Sequence, residues 1–268
     1  MLVVFSDLDG TLLDHHTYSH GPARPALDAL ARRGYPLVLC SSKTRAEMIP
    51  LQAELGVSGP LICENGGGVF APEGHPVAAL GEGWRAGPEG WMLLPLGMDY
   101  AELRRRFGRF KDRFGARGFG DLSDAEVAEL TGLAPRRAAR AREREFNEPV
   151  VLPGPERQEA AFLAAAREQG LQVTRGGRFY HLLGGGDKGR AVRLLSDLFR
   201  RLHPKLTTAG LGDAPNDASM LAAVDRPFLV ARPGGDHAEL AMEGLVRTTL
   251  PGPAGFNQAV LGLLQEAG

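Results

Sequence analysis

Residues 3–11, Val-Val-Phe-Ser-Asp-Leu-Asp-Gly-Thr, set an apolar run against two acids, a glycine and a hydroxyl, and few folds accommodate that change of character. An apolar run of this kind reads as a parallel strand buried on both faces. A strand that stops in carboxylates delivers them to the carboxyl edge of its sheet, where open α/β folds hold their ligands. Asp7 and Asp9 then direct negative charge at one region. Two such acids are tolerated when a divalent cation sits between them or when they share a proton, and both arrangements belong to active sites. A plain turn capped by the same acids is the competing account of this stretch taken alone.

The theme repeats along the chain. Leu27, Leu30 and Ala31 have helical spacing that ends at Gly34, and residues 36–40 read as a second buried strand. Ser41-Ser42-Lys43-Thr44 then opens a helix carrying Met48, Leu51 and Leu55, so hydroxyls, an ammonium and free helix N–H groups gather at one sheet edge. Residues 60–63 form a third short strand before Glu64-Asn65-Gly66-Gly67-Gly68, a loop that lets a backbone approach a ligand closely. Late in the chain Asp187-Lys188-Gly189 begins an amphipathic helix, residues 206–211 make a strand ending in Gly212-Asp213, and Ala214-Pro215-Asn216-Asp217 opens another helix. A strand over 227–231 and a closing helix over 256–264 follow. Strand then helix, repeated, predicts an α/β protein with a Rossmann-like, doubly wound parallel sheet.

Between residues 83 and 184 the rhythm changes. Strands are expected over 91–96, 145–152, 171–174 and 179–183, with helices over 100–114, 124–130, 135–143 and 156–168. Strands gathered at both ends of helix pairs suggest an α+β layer inserted into the first domain, giving a core of residues 1–82 and 185–268 and an insertion of 83–184. Glycines at 81–83 and 184–186 are the expected hinges. With 31 basic against 32 acidic residues, bulk charge offers no nucleic-acid or membrane surface. No basic leader precedes the first strand, and no apolar run approaches the roughly 18 residues that span a bilayer. Cys40 and Cys63 each end a predicted strand and read as thiols, so a cytoplasmic protein acting on a small molecule is expected.

The polar clusters allow one chemistry in particular. A carboxylate at Asp7 can attack phosphorus in line to give an acyl phosphate, and Asp9 can protonate the departing oxygen and later take a proton from water. Ser41, Lys188 and loop N–H groups around Leu8, Asp9 and Ser42 can hold the phosphoryl oxygens. An anion meeting an anion needs a cation between them, and Mg²⁺, which takes oxygen ligands, suits Asp7 and Asp213. Asp217 can orient the metal's waters or pair with Lys188.

Asp7-Leu8-Asp9-Gly10-Thr11, Ser41, Lys188 and Gly212-Asp213 with Asn216-Asp217 together resemble the four motifs of the haloacid dehalogenase (HAD) superfamily of phosphatases. The insertion looks like the large α/β cap of its Cof-type branch, the C2-type cap. The resemblance implies that the carbonyl of Asp9 is a further Mg²⁺ ligand. A finer likeness, carried by Ser41-Ser42-Lys43-Thr44, Arg144-Glu145-Phe146-Asn147-Glu148-Pro149 and Gly177-Arg178-Phe179-Tyr180-His181, is to mannosyl-3-phosphoglycerate phosphatases. It implies a substrate joining a sugar to phosphoglycerate. A glycerate carboxylate would suit Lys43 or Arg178, and sugar hydroxyls would suit Glu145, Asn147, Glu148 and His181, with Glu64, Asn65, Thr44, Arg144 and Asn216 as further candidate contacts. Another sugar phosphatase or a phosphosugar mutase on the same scaffold, and a phosphoacceptor receiver module, are the alternative readings. A receiver lacks an insertion of this size.

Overall fold

The computed structural model describes residues 1–154, 157–176 and 179–266, so Glu156 and the candidate ligand Arg178 lie outside the described residues. The chain begins with β1 (Leu2–Ser6), α1 (Arg24–Arg32), β2 (Leu37–Cys40), α2 (Arg45–Leu55) and β3 (Leu61–Cys63). The three strands are parallel neighbours, and every residue in them is buried. Helix α2 starts sharply because Thr44 accepts from the N–H of Glu47 while the Glu47 carboxylate accepts from the N–H of Thr44. It stops at Gly56, whose φ of 71° suits glycine.

The chain then doubles back through β4 (Gly68–Pro72), α3 (Pro76–Leu80), β5 (Arg85–Ala86) and β6 (Trp91–Pro95), which extend the sheet antiparallel in the order β3-β4-β6-β5. A second layer follows, made of α4 (Tyr100–Phe107), β7 (Arg117–Gly118), α5 (Asp124–Thr131), α6 (Pro135–Arg142), β8 (Asn147–Val151), α7 (Arg157–Glu168), β9 (Gln172–Gly176) and β10 (Phe179–Leu183). Its four strands form a separate antiparallel sheet ordered β7-β8-β10-β9. The chain returns with α8 (Lys188–Leu202), β11 (Thr207–Gly212), α9 (Ala218–Leu221), β12 (Arg226–Ala231), β13 (Val246–Pro251) and α10 (Gly252–Glu266).

The large sheet runs β13-β12-β11-β1-β2-β3-β4-β6-β5, with β13 to β3 parallel. Strand order therefore grows outward in both directions from β1 and β11, and the crevice at their carboxyl ends is where ligands enter such sheets. Alternate side chains of β1 enter two cores. Val3 and Phe5 pack with Val38, Val192 and Leu195 on the α8 face, and Val4 packs with Leu27, Leu30 and Phe256 on the α1 and α10 face. Fully burying a side chain of this size is worth about 1.5–3 kcal/mol, so this strand is firmly held. The second layer has its own core, built on Phe107, Phe110, Phe114 and Phe162.

Two expectations change, and one strand was not expected at all. Trp91–Pro95, expected in the insertion, pairs along its whole length with β4 of the large sheet. The helix expected over 100–114 ends at Phe107 and is followed by a 3₁₀ turn at Lys111–Phe114. Strand β13 has no alternating apolar signal because only Thr248 in it is buried, and its first and fifth residues, Val246 and Leu250, face out.

Glycines 81–83 precede β5 within the large sheet, whereas the chain crosses to the second layer at residues 96–98 and returns at 184–187. There the N–H groups of Leu96 and Gly97 both donate to the carbonyl of Gly67, and Met98 N–H donates to the carbonyl of Gly184. A Cβ at Gly67 would stand 2.3 Å from the Cβ of Phe146, so the crossing closes only around glycine. No helix among the described residues is long and apolar enough to cross a membrane. Gly67→Ala is expected to lower unfolding stability by about 1–3 kcal/mol through overpacking against Phe146, measured as a shift of the urea midpoint at unchanged slope.

Candidate active site

Four strand-to-helix junctions meet at the crevice. Asp7 follows β1, and its N–H continues the ladder to the carbonyl of Leu211 at 2.9 Å, which aims its carboxylate past the sheet edge. Asp213 follows β11 and accepts from the Thr11 hydroxyl at 3.2 Å. Between them Gly10 adopts φ 85°, and a Cβ there would lie 2.6 Å from an Asp213 carboxylate oxygen, so only glycine lets the two junctions approach.

Lys188, the first residue of α8, is 2 % exposed, and its ammonium donates to Asp7 Oδ1 at 2.7 Å and Asp217 Oδ1 at 2.8 Å. Asp217 in turn accepts the N–H groups of Asp213 and Ala214. The carboxylates of Asp7, Asp213 and Asp217 bring ligand oxygens within 4.8 Å of one another. Burial, then the Asp217 charge, pushes Asp7 well above the ordinary carboxylate range against the pull of Lys188. Burial and the same neighbour lift Asp213 to about 6. Burial works against the Lys188 ammonium, yet Asp217 and Asp7 outweigh it and hold its pKa well above the usual lysine value. When all three carboxylates around the one ammonium are ionised, two negative charges are in excess. An all-oxygen donor set with that excess fits a hard divalent cation, and Asp9 Oδ1, buried without a hydrogen-bond partner among the described residues, is a further orphaned oxygen beside it.

A cavity of about 770 Å³ opens over this cluster, between the large sheet and the second layer. Of the residues singled out from sequence, Asp7, Asp9, Ser41, Ser42, Lys43 and Asp213 line its sheet side, joined by Asn216, while Arg144 and His181 line it from the second layer. Lys43 donates to Asp9 Oδ2 at 2.7 Å and lies 5.5 Å from the Tyr18 ring centroid. Burial opposes the charge on Lys43, but Asp9 and Glu47 raise its pKa above the ordinary value. The Ser41 hydroxyl accepts the N–H of Lys43, and Lys188 and Asp217 form the buried floor behind Asp7.

Other candidates are engaged away from the cavity. The Leu8 side chain is in the core, and the Thr44 hydroxyl caps α2 and donates to the carbonyl of Arg140. Glu64 accepts three backbone N–H groups, and Glu145 pairs with Arg45 at 3.3 Å. Glu148 accepts from the Tyr100 hydroxyl at 2.5 Å and from Gly120 N–H. Asn147 is buried, with Oδ1 placed 3.0 Å from His181 Nδ1, and Asn65 is a buried loop residue at φ 57°. Residues not foreseen also line the cavity: His15, His16 and Tyr18 from the loop after β1, Arg232 just after β12, and Phe119 and Phe179 from the second layer. For Arg232 a signal existed, since the residue following a predicted strand shares the edge that carries Asp7 and Asp213.

The model of one family, described as haloacid dehalogenase-like hydrolase, matches residues 4–79. A protein of Persephonella marina named "Glucosyl-3-phosphoglycerate/mannosyl-3-phosphoglycerate phosphatase" is 39 % identical over 99 % of this chain and 98 % of its own. A protein of the same name from Methanococcoides burtonii is 39 % identical over 98 % of this chain and 97 % of its own. Among solved structures, a HAD-superfamily phosphatase from Bacteroides thetaiotaomicron superposes with a TM-score of 0.66 at 16 % identity, covering 97 % of this chain and 94 % of that one.

Lys188→Met removes the cation that bridges two buried carboxylates and is expected to cost about 3–5 kcal/mol of stability. Chemical unfolding without divalent ions measures the loss, and recovery of part of it on adding a divalent cation is the expected companion result.

Proposed function

The chain belongs to the haloacid dehalogenase-like hydrolases, and from that premise we propose that it is a Mg²⁺-dependent phosphatase. Its proposed substrate is mannosyl-3-phosphoglycerate, which it converts to mannosylglycerate and inorganic phosphate. The observation that carries this reading is the 39 % identity, over nearly the whole chain, to two relatives named for that phosphatase activity. Both names include the glucosyl conjugate, so the glucosyl epimer is the second substrate to assay.

Asp7 is the proposed nucleophile. Its free carboxylate oxygen attacks phosphorus in line, the bond to the glycerate oxygen breaks, and the phosphoryl group is left on Asp7 as an acyl phosphate. Asp9 gives its proton to the departing oxygen, then takes one from the water that attacks the acyl phosphate, and Asp7 is regenerated as phosphate leaves. Ser41, Lys188 and the N–H groups at the start of the Ser42 loop hold the phosphoryl oxygens as negative charge moves onto them. Lys43, which donates to Asp9 Oδ2 at 2.7 Å, is the proposed partner of the glycerate carboxylate.

Asp7, Asp213 and the carbonyl of Asp9 are the proposed Mg²⁺ ligands, with Asp217 holding Lys188 and the Asp213 backbone behind them. When bound, the ion supplies the positive charge that lets a carboxylate approach a phosphate dianion. Oxygen donors alone favour Mg²⁺ over softer metals. We further assign residues 99–183 as a cap whose Arg144, His181, Phe119 and Phe179 meet the sugar end of the substrate, while residues up to 96 and from 187 form the core. This division follows the sheets rather than the composition change near residue 83.

Purified protein with Mg²⁺ is expected to release inorganic phosphate from mannosyl-3-phosphoglycerate in preference to simple sugar phosphates, and Asp7→Asn to lower the rate by about a thousandfold or more with no phosphoenzyme trapped. Equal turnover of all phosphates tested would remove the substrate assignment. A second expectation concerns pH. Because folding raises the Asp213 pKa from 3.8 to about 6, this group stabilises the metal-free protein below pH 3.8 and the benefit is lost as pH rises through 6. Mg²⁺ relieves the repulsion that appears when Asp213 ionises. The rise in melting temperature on adding Mg²⁺ is therefore expected to be larger at about pH 7.5 than at about pH 5.

A further inference from the structure

The loop Ser41-Ser42-Lys43 is pinned from behind in an unusual way. Its three successive carbonyls each accept one hydrogen bond: Ser41 from the N–H of Asn65 at 2.9 Å, Ser42 from the Arg144 guanidinium at 2.8 Å, and Lys43 from the N–H of Glu64 at 3.0 Å. With the carbonyls held outward, the side chains of all three residues remain free to line the cavity. Two of the three donors belong to residues 64 and 65, and both sit in the left-handed region, Glu64 at φ 52° and Asn65 at φ 57°. A non-glycine residue there is strained, and two in succession persist only when surrounding bonds over-determine them.

What over-determines them is the Glu64 side chain. It is fully buried, and its carboxylate accepts the N–H groups of Glu145 at 2.9 Å, Phe146 at 3.0 Å and Asn147 at 2.7 Å. These amides form the entry to β8, the strand that pairs with β10, on which His181 stands. Three consecutive N–H groups converging on one carboxylate make a nest of positive partial charge that offsets part of the cost of burying it, although burial still lifts its pKa to about 7. The same side chain does not line the cavity, so it has no route to the substrate. Arg144 closes the circuit from the other side, since it lies next to the nest and bonds the middle carbonyl of the Ser41–Lys43 loop.

We infer that Glu64 is a positioning residue: its carboxylate ties the entry strand of the second layer to the loop bearing Ser41, Ser42 and Lys43, so that seating the cap and aiming that loop are one event. The kinetic part of the inference rests on the proposed role of that loop in holding the phosphoryl group. Glutamine is the informative replacement. It keeps the shape but turns one acceptor oxygen into an NH₂ that faces backbone N–H groups, whereas aspartate keeps both acceptors on a stem shorter by one methylene.

The test uses the full chain carrying Glu64→Gln or Glu64→Asp, read by amide hydrogen exchange without ligand and by steady-state hydrolysis of mannosyl-3-phosphoglycerate with Mg²⁺. In Glu64→Gln, exchange in peptides covering residues 41–44 and 145–147 is expected to accelerate together by about tenfold or more, while peptides from β1 and β11 keep their wild-type rates. Glu64→Asp is expected to restore part of the protection in both peptides. kcat is expected to fall by about tenfold to a hundredfold in Glu64→Gln, because a misaimed loop spoils the reacting geometry rather than binding alone. Acceleration confined to 145–147 with kcat unchanged would reduce Glu64 to an anchor of the cap and overturn the inference, as would wild-type exchange at both peptides. Should Glu64→Gln not fold, as β1 and β11 would reveal, the same comparison is made with Glu64→Asp. The exchange measurement needs no turnover, so a wild-type protein inactive on the conjugate would remove the proposed substrate and leave the exchange result to decide the coupling.

Discussion

The charge balance around Asp7 is the constraint on which the site and much of the core depend. Asp7, Asp213 and Asp217 are gathered with one ammonium, that of Lys188, in a region nearly closed to water. Isolated buried charges of this kind would be strongly unfavourable, so the chain must bring every available donor to them. Thr11 donates to Asp213, the backbone of residues 213 and 214 donates to Asp217, and α8 begins at Lys188 so that the ammonium lies between two carboxylates. The amides of residues 213 and 214 are local to Asp217, but Thr11 and Lys188 are distant in sequence from the carboxylates they serve. They come together because β1 and β11 are adjacent, which sets Asp7 and Asp213 side by side.

The second layer solves a different problem, namely how to cover a charged crevice with polar residues while keeping them satisfied. Several of its acids are consumed in doing so. Glu148 is bonded to Tyr100 and Gly120, Glu145 to Arg45, and Asp121 is held by Arg104 and Lys111. The wall it presents to the cavity is consequently part aromatic, through Phe119 and Phe179, with His181 and Arg144 as polar points. The cavity therefore has unlike ends, one anionic and cation-seeking, the other shaped for an organic group. Lys43, paired with Asp9 beneath the Tyr18 ring, lies at the sheet side of that division.

The core junctions were legible because each is a local pattern: an apolar run ending in Asp, Ser or Gly-Asp at a helix start. Asp7, Asp9, Ser41, Lys43 and Asp213 line one cavity with Lys188 beneath it, and each belongs to such a junction. The second layer was less legible for a physical reason. Entering β8, Glu145 to Glu148 offers four polar or aromatic side chains in a row, and sequence alternation cannot say which face looks at the cavity and which is spent on a neighbouring strand or helix. The strand at Trp91–Pro95 was misassigned for a related reason, since its apolar character identifies a strand but carries no information about its partner, which is β4.

Sequence by itself determined the fold class and the order of the chemical groups, because burial on both faces of β1 and the abrupt polar ends of the strands are properties of short segments. Tertiary structure alone decided where the second layer begins, which of its polar residues reach the cavity, and that Tyr18 and the aromatic pair belong to it. It also decided that Glu64 faces the amides of residues 145–147 instead of a ligand. Those outcomes depend on how one sheet is set against another, and the hydrogen bonds that set it join residues some eighty positions apart in the chain, beyond any local pattern.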